Sequence, residues 1–277
     1  MVRDTNNVEN KIVLITGAGG GLGSALVSQF AEAGYQVIAV DIDGQKLARL
    51  KSNGSINRKV LDVTNSAQIM ALKKDLDLDH TGLDILICAA GIYEFYPVTE
   101  AIPGDFQKMM SVNLHGTADL IREMLEPLIK RQGRVVVVSS ESYKIQALFQ
   151  PYMITKASLE AYCRVARQEL ALKGVKLTLI RPGAINTPLL NWMTSQGSWE
   201  KYPVFKKELK AGWERSVKMV GKITPPEIVA SGIFKAATKS KPRRVYRINN
   251  SNLLKLVALV PLSVFDWLVA RMFRIKN

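Results

Sequence analysis

The sequence has few of the residues from which disulfide frameworks and metal sites are built. Its 277 residues include only two cysteines, Cys88 and Cys163, too few for the disulfide framework of a small secreted module. The two histidines, His80 and His115, have no cysteines or carboxylates clustered around them in the sequence. We therefore expect reduced cysteines, no metal site, and a cytoplasmic protein that is at most peripheral on a membrane.

No internal repeat, low-complexity tract or linker rich in proline or serine is found before about residue 250. Residues 1–10 are polar and include Asp4 and Glu9, so we expect no signal peptide. The formal net charge of +14 is compatible with an anionic partner. Because no basic helix-turn-helix and no aromatic RNA-binding platform accompanies that charge, we expect no nucleic-acid partner.

Short apolar segments that indicate strands alternate with helical patterns along the chain. They are residues 11–16, 36–40, 58–62, 84–88, 134–139, 175–181 and 243–248. Such alternation predicts an α/β fold with a doubly wound parallel sheet, which binds ligands at the carboxyl ends of its strands. With 47% hydrophobic and 22% charged residues, the chain can bury one sizeable core, so we assign residues 1–250 to a single domain.

A glycine-rich turn, residues 16–23 with the sequence TGAGGGLG, follows the first predicted strand and precedes a helical pattern. Glycines let backbone N–H groups approach a pyrophosphate, which the dipole at the helix N-terminus also attracts. Leu22 stands where the third glycine of the strict G-x-G-x-x-G fingerprint would be, so the motif is T-G-x-x-x-G-x-G. This order predicts a dinucleotide site formed by Gly17, Gly19, Gly21, Leu22 and Gly23.

Asp41 ends the second predicted strand, roughly the twenty residues after the glycine turn that such a unit requires. Its carboxylate could accept hydrogen bonds from the ribose hydroxyls and repel a 2′-phosphate, which favours NAD over NADP. The alternative role is a cap for the turn at Asp43-Gly44. We prefer the ribose role because of the spacing.

Tyr152 and Lys156 form a Tyr-x-x-x-Lys pair at the start of residues 152–174, which have a helical pattern. Residues four apart share a helix face, so the Lys156 ammonium can favour the ionised form of the Tyr152 phenol. A free phenol has a pKa of about 10 and is a poor base at neutral pH. Such pairs also occur on solvated helix faces, so the other motifs must decide the role of this one.

Together the motifs resemble those of the short-chain dehydrogenase/reductase family, of the simple, single-domain, Rossmann type. The resemblance covers roughly residues 10 to 190 and follows the family's order: the glycine turn, Asp62-Val63, Asp84-x-Leu86, Ala90-Gly91, Asn113, Ser139-Ser140, Tyr152-x-x-x-Lys156 and Arg181-Pro182-Gly183. One departure is visible, because the usual Asn-Asn-Ala-Gly is Cys88-Ala89-Ala90-Gly91 here. Both amides are missing, together with the hydrogen bonds that they would make.

The resemblance implies an NAD(P)-dependent enzyme, with NAD favoured, that transfers a hydride between the cofactor and a secondary alcohol or ketone. Tyr152 would be the proton donor and acceptor, and Lys156 would lower its pKa and hold the nicotinamide ribose. Ser140 would hydrogen-bond the substrate oxygen. Ser139 and Ser142 remain alternatives, because neighbouring side chains of a strand point to opposite faces.

By the same resemblance, Asn113 would hold a water that links Lys156 to solvent, although it could instead be a polar residue that breaks a helix. Thr187 would reach the nicotinamide carboxamide, or else cap the turn before Pro188. The further residues expected to contact the cofactor are Asp62, Val63, Cys88, Ala90, Gly91, Tyr152, Lys156, Pro182 and Gly183.

Residues 189–220 should form the variable segment over the site. They contain Leu189, Leu190, Trp192, Met193, Trp199, Tyr202, Phe205 and Trp213. Further aromatic residues lie in loops at the strand ends: Tyr93, Phe95, Tyr96, Tyr143 and Phe149. We expect an apolar pocket for a bulky lipophilic alcohol or ketone, of steroid, retinoid or hydroxyacyl type. The alternative is that these aromatic residues only attach the segment to the core.

Residues 251–277 are expected to form an apolar helical tail with basic flanks. Pro261 and Asp266 interrupt its apolar run, which is shorter than the roughly 20 residues of a spanning helix. A helix in the membrane interface, or one docked on a second subunit of a homo-oligomer, fits better. A cofactor-sensing regulator without turnover, or a membrane-surface interaction protein, are the other functions considered.

Overall fold

The computed structural model describes residues 10–51, 54–144, 147–190, 199–220, 223–249 and 260–273. Seven parallel strands form one sheet in the order β3-β2-β1-β4-β5-β6-β7. They are β1 (Ile12–Thr16), β2 (Gln36–Asp41), β3 (Ile56–Val60), β4 (Ile85–Cys88), β5 (Arg134–Val138), β6 (Lys176–Pro182) and β7 (Val245–Ile248). The strand order reverses between β1 and β4, which places a ligand crevice at the carboxyl ends of these two strands.

Helices cover both faces of the sheet. They are α1 (Gly21–Glu32), α2 (Gly44–Ala48), α3 (Ser66–Asp75), α4 (Leu78–Thr81), α5 (Asp105–Met110), α6 (Gly116–Glu123), α7 (Leu125–Arg131), α8 (Pro151–Leu172), α9 (Lys206–Met219), α10 (Pro226–Thr238) and α11 (Leu262–Phe273). A π-helical turn, Ser111–His115, joins α5 to α6, and short 3₁₀ turns lie at Val98–Glu100, Glu141–Lys144 and Trp199–Lys201.

The central strands are apolar on both faces because helices bury both. Val13 and Ile15 of β1 belong to one core cluster, which α1 and α10 cover. Leu14 belongs to the cluster on the opposite face, which contains residues of α3, α6 and α8. Runs of Val, Ile and Leu of this kind are typical of parallel strands. The prediction of a doubly wound parallel sheet is therefore confirmed.

The predicted strands are all present, and their ends agree with the structure to within one residue except in the third strand, which is shifted, and in the seventh, which begins at Val245 and not at residue 243. The third was expected at residues 58–62 but lies at Ile56–Val60. It is an edge strand that pairs only with β2, so the apolar residues Leu61 and Val63, which pack into the core, extended the apparent pattern. Helix α8 begins at Pro151, a residue suited to the first turn of a helix, and ends at Leu172.

The C-terminal helix α11 follows the last strand and contacts α9. The earlier part of the predicted tail, residues 251–259, and its last residues, 274–277, lie outside the described residues, as do Trp192 and Met193. Among the helices that the structure describes, none is long and apolar enough to cross a membrane.

Candidate active site

A cavity of about 1350 Å³ opens at the carboxyl ends of the strands. Pockets for one small molecule usually enclose about 300–1,000 Å³, so this one has room for two ligands. Its lining includes the glycine turn and residues of α9 and α11. Ser140, Tyr152 and Lys156 all belong to its wall.

Two glycines of the turn cannot be replaced without moving the backbone. Gly17 has a φ of +67°, and a Cβ there would lie 2.9 Å from the Cα of Ala90. A Cβ on Gly23 would lie 1.9 Å from the carbonyl oxygen of Gly17, well inside van der Waals contact. The turn therefore packs closely against both the first residues of α1 and the loop after β4.

The glycine turn and the N-terminus of α1 fit the pyrophosphate of a dinucleotide. Gly20 is the N-cap residue of α1, no side chain caps the helix, and its first turn has no acidic residue. The backbone N–H groups of that turn can therefore meet an anion, which the helix dipole favours. The expected residues Gly17, Gly19, Gly21, Leu22 and Gly23 all line the cavity.

Asp41 connects the glycine turn with the loop after β2. Its Oδ2 accepts a hydrogen bond of 2.9 Å from the backbone N–H of Gly19, and its Oδ1 accepts one of 3.0 Å from Asp43. The carboxylate thus supports the turn at Asp43, as the alternative interpretation proposed, and also lines the cavity, as the ribose role requires. The N-cap of α2 is Asp43.

The cofactor contacts expected beyond β2 are distributed along the cavity. Its lining includes Asp62, Val63, Ala90, Gly91, Pro182, Gly183 and Thr187. Thr187 lies beside the glycine turn, because a Cβ on Gly21 would come within 2.9 Å of its Cγ2. The Asp62 carboxylate accepts hydrogen bonds from the backbone N–H and hydroxyl of Thr64, which fixes the loop after β3.

Cys88 does not join these residues. It is 3% exposed and packs in the core cluster beneath the sheet, outside the described lining of the cavity. Burial raises the pKa of its thiol, which keeps the thiol protonated. The next residues, Ala89 and Ala90, reach the cavity, and their backbone N–H groups donate hydrogen bonds to Thr16 Oγ1. Ala89 and Ala90, and not Cys88, are therefore the residues of this segment that can contact a cofactor. The Cys88 side chain points into the core because successive side chains of a strand point to opposite faces.

Tyr152 lies near the start of α8 with its ring against Tyr93, at 5.3 Å between centroids. Enough protein surrounds its hydroxyl that desolvation raises the pKa of the phenol, whereas a hydrogen bond with the Ser140 side chain lowers it. The net direction is upward. The sequence favoured a lowered pKa, and the structure differs because desolvation is the largest effect on this group.

Lys156 is 4% exposed, and its Nζ lies 5.5 Å from the centroid of the Tyr152 ring. The Nζ donates a hydrogen bond of 2.9 Å to the carbonyl oxygen of Val138 at the end of β5. Burial lowers the pKa of Lys156 to about 8. The expected proximity of the two residues is present, but the ammonium lies by the ring and is held by the backbone.

The three candidate serines have different surroundings. Ser140 shares a hydrogen bond of 2.7 Å with Ser142 and also interacts with the Tyr152 hydroxyl. The Ser139 hydroxyl is buried and, among the described atoms, has no hydrogen-bond partner. All three residues line the cavity. Because Ser140 is the one of the three whose side chain lowers the pKa of Tyr152, it fits best the serine that would hold a substrate oxygen.

Asn113 is 1% exposed and sits in the π-helical turn between α5 and α6. Its Oδ1 accepts a hydrogen bond of 2.8 Å from the Ile92 backbone, and its Nδ2 donates to the Ile92 carbonyl and to Thr155 Oγ1. It lies outside the described lining of the cavity. The side chain therefore joins the loop after β4 to α8, one residue before Lys156.

The aromatic residues of the variable segment mostly pack against the core. Trp199 and Tyr202 form a buried cluster with Tyr96, Met109, Phe149 and Leu209, and Phe95, Phe205 and Trp213 pack against it. Of the residues of this segment in the described ranges, Leu189, Leu190, Gly212, Arg215, Ser216 and Val220 line the cavity. For the aromatic residues the alternative interpretation is thus the better one, while aliphatic side chains form the apolar wall.

Several contacts near the site could not be predicted from the sequence motifs. The Tyr93 hydroxyl donates a hydrogen bond of 2.8 Å to Gln150, the residue before the first turn of α8. Arg181 pairs with Glu160 at 2.8 Å. Residues of α11 also line the cavity. Sequence could have indicated Glu160 only by its position one helical turn after Lys156.

A family model described as short chain dehydrogenase matches residues 11–197. The chain belongs to the short-chain dehydrogenase/reductase family. The match spans every motif discussed above, from the glycine turn to Arg181-Pro182-Gly183. Members of this family are oxidoreductases that use NAD or NADP, and the resemblance seen in the sequence is confirmed.

Relatives of this short-chain dehydrogenase differ in the substrates that their names give. It is 30% identical over 299 residues to estradiol 17-beta-dehydrogenase 2 of Rattus norvegicus, covering 99% of this chain and 78% of that protein. It is 29% identical over 242 residues to galactitol 2-dehydrogenase of Agrobacterium fabrum, covering 84% and 93%. It is 30% identical over 200 residues to retinol dehydrogenase 7 of Mus musculus, covering 71% and 63%.

Solved structures of short-chain dehydrogenases share the fold. One from Streptomyces avermitilis superposes with a TM-score of 0.75 at 23% identity, covering 95% of both chains. One from Mycobacterium paratuberculosis, bound to NAD, gives 0.71 at 20% identity, covering 87% and 96%. One from Burkholderia cenocepacia, in complex with NADP, gives 0.72 at 19% identity, covering 98% and 100%.

Proposed function

We propose that this short-chain dehydrogenase prefers NAD(H) and interconverts a lipophilic secondary alcohol and its ketone. The observation that carries the proposal is that Tyr152, Ser140 and Lys156 belong to the wall of one cavity, whose lining also includes the glycine turn and many apolar side chains. A regulator that senses the cofactor without turnover would have no need of this set. The complete set therefore favours catalysis.

The residues have distinct roles in the proposed reaction. When bound, the nicotinamide supplies or accepts the hydride. Tyr152 takes the hydroxyl proton in oxidation and returns it in reduction. Ser140 hydrogen-bonds the substrate oxygen and the Tyr152 hydroxyl, so it stabilises charge that develops on either oxygen. Lys156, held by the Val138 carbonyl, places a positive charge beside the Tyr152 ring while it is protonated.

The preference for NAD rests on Asp41. Its carboxylate lines the cavity and is held by the N–H groups of Gly19 and Asp43. A fixed negative charge at the end of β2 accepts hydrogen bonds from ribose hydroxyls and repels a 2′-phosphate. Asn113 serves as a positioning residue, since its side chain holds the loop after β4 against α8.

The proposal of a lipophilic substrate rests on the apolar side chains that line the cavity. These side chains include Leu148, Met153, Leu189, Leu190, Val220 and Phe265. An apolar wall of this size favours a bulky hydrophobic body through burial of its surface. The names of two relatives, an estradiol dehydrogenase and a retinol dehydrogenase, are consistent with such a substrate.

We further propose that the outer face of α11 contacts an anionic membrane surface. Val264 and Trp267 are 45% and 57% exposed, and the Arg271 guanidinium lies 5.3 Å from the Trp267 ring. An apolar face beside a cation, on a chain of net charge +14, matches the interfacial helices that bind anionic lipid. The competing partner is a second copy of the chain in a homo-oligomer.

The activity is tested by incubating the purified protein with NAD and a panel of secondary alcohols of increasing apolar size, and following NADH by its absorbance. We expect turnover that increases with apolar size. Turnover with NADP only, or with polyols such as galactitol only, would contradict the proposed specificity.

The membrane contact is tested by sedimentation with phosphatidylserine vesicles. The double variant Val264→Ser and Trp267→Ser should no longer co-sediment with the vesicles. A changed oligomer mass in this variant, with unchanged co-sedimentation, would instead favour a second copy of the chain as the partner.

A further inference from the structure

The C-terminal helix α11 reaches the same cavity as the catalytic residues. Val260, just before the helix, and Phe265, Leu268 and Val269 within it line that cavity together with Tyr152 and Ser140. They come from beyond the last strand, far in sequence from the glycine turn and from α8. A segment that the dinucleotide-binding sheet does not require therefore contributes to the wall of the cavity.

The lining residues of α11 form one face of the helix. Phe265, Leu268 and Val269 are spaced three and four residues apart, which places their side chains side by side. Phe265 and Val269 are partly buried, whereas Trp267 is 57% exposed on the other side. The helix thus has an inner face toward the cavity and a separate outer face toward solvent.

The neighbouring helix α9 supports this arrangement. It contacts α11 and contributes Gly212 and Ser216 to the same cavity. Ser216 also accepts a long hydrogen bond, 3.4 Å, from Gln150 at the start of α8. The position of α11 relative to Tyr152 is consequently set through α9 and not only by the chain that leads out of β7.

We propose that the inner face of α11 determines substrate specificity, with Phe265 and Val269 contacting the apolar body of the substrate away from the reacting carbon. This inference rests on the proposed function and adds the residues that select among apolar substrates. The three lining side chains of the helix carry no hydrogen-bonding group, so the portion of substrate beside them is hydrocarbon. The polar groups that would hold the reacting oxygen, Tyr152 and Ser140, come from α8 and from the loop after β5 and line the same cavity.

The test compares inner-face and outer-face variants of the same helix. Val269→Trp should fill the cavity and reject large substrates, and Phe265→Ala should remove a contact with them. Asp266→Asn is the matched control, because Asp266 is an exposed residue of the same helix and lies outside the described lining of the cavity. With NAD, kcat/KM is measured for 2-butanol, 2-octanol and 2-dodecanol for each protein. Phe265→Leu is included in case Phe265→Ala does not fold.

We expect both inner-face variants to lower kcat/KM for 2-dodecanol by about 10-fold or more while 2-butanol changes by less than about 3-fold, since a missing hydrophobic contact is worth roughly 10–200-fold. The Asp266→Asn control should match the wild type with all three alcohols. Equal losses for all three alcohols, or no loss for any of them, would overturn the proposal.

A second measurement does not need turnover. A fluorescent naphthalene probe is bound to the NAD-saturated protein and displaced with 2-dodecanone. Displacement should require a higher ketone concentration in Phe265→Ala and Val269→Trp than in the wild type or Asp266→Asn. A further outcome is that the wild type oxidises no alcohol while probe displacement still depends on Phe265 and Val269. In that case the proposed function would fail, and the proposal that these two residues contact the apolar ligand would stand. Identical displacement curves for all the proteins would refute the assignment.

Discussion

Arg181 donates two hydrogen bonds of 2.8 Å to the carboxylate of Glu160, which joins the end of β6 to α8. The side chains are 11% and 6% exposed. Glu160 lies one turn after Lys156, and Arg181 directly precedes Pro182 and Gly183 in the cavity wall. The pair therefore fixes α8, which carries Tyr152 and Lys156, relative to a strand end that lines the cavity.

Replacing Glu160 by Gln should destabilise the fold strongly. The buried Arg181 guanidinium would lose the charge of its bidentate partner, and breaking a buried pair in this way typically costs about 3–5 kcal/mol. Urea denaturation measures the loss. The matched control is Glu200→Gln, which breaks the exposed pair between Glu200 and Lys206 and should cost less than about 1 kcal/mol. Equal losses in the two variants would show that burial of the Arg181 pair has no special importance.

Tyr152→Phe should abolish turnover without disturbing the fold. The change deletes the proton donor but keeps the ring, which packs against the aromatic cluster around Trp199. We expect a loss of at least about 10²-fold in kcat, as for removal of a general acid–base, with NAD affinity within a few-fold. Tyr162→Phe on the same helix is the control and should retain activity. A Tyr152→Phe enzyme that kept most of its rate would disprove the assigned role.

Asp41 should control the choice of cofactor through two separable effects. Asp41→Asn removes the negative charge but keeps an oxygen that can accept a hydrogen bond, whereas Asp41→Ala removes both. We expect either variant to improve NADP(H) binding relative to NAD(H), and Asp41→Ala alone to lose the support of the Gly19 backbone and weaken NAD(H) binding. Titration of both cofactors measures the ratios. Tighter binding of NADP(H) than NAD(H) by the wild type would contradict the preference.

The pH dependence of the reaction should reflect the raised pKa of Tyr152. Oxidation needs the deprotonated phenol, so its kcat/KM should rise with pH through the neutral and into the alkaline range, while reduction should be faster at low pH. The hydrogen bond from Ser140 lowers the Tyr152 pKa, so Ser140→Ala should raise that pKa and move the oxidation profile to higher pH. Steady-state rates across pH test this, and an unmoved profile in Ser140→Ala would argue against the interaction.

The sequence was sufficient for the sheet and for the catalytic helix. β5, for example, is a run of valines buried on both faces, and the spacing of Tyr152 and Lys156 on α8 follows from helical geometry. The pKa of Tyr152 could not be predicted in the same way. It depends on all the protein atoms around the hydroxyl, which come from several elements, and spacing along one helix reports only Lys156.

Contacts between distant segments were the other part that the sequence did not reveal. The apolar pattern of α11 predicted a helix but not the position of that helix beside the cavity. The sequence pattern of an apolar helix face is the same whether the face packs on substrate, lipid or the protein core. Cys88 was misplaced for a related reason. The family motif identified the loop after β4, but the local pleat decides which of its residues point into the core.

The π-helical turn that carries Asn113 changes the helical phase between α5 and α6. The N–H of Gly116 bonds the carbonyl of Ser111, five residues earlier, so this turn holds one residue more than an α-helical turn. Deleting one residue here would restore an unbroken α-helix with every backbone bond made, yet everything before it would rotate by about 100° relative to α6. A one-residue deletion would therefore keep the backbone hydrogen bonds of this segment but turn the side chains before it to the wrong side of the helix. The number of residues in this turn is thus as restricted as their identity.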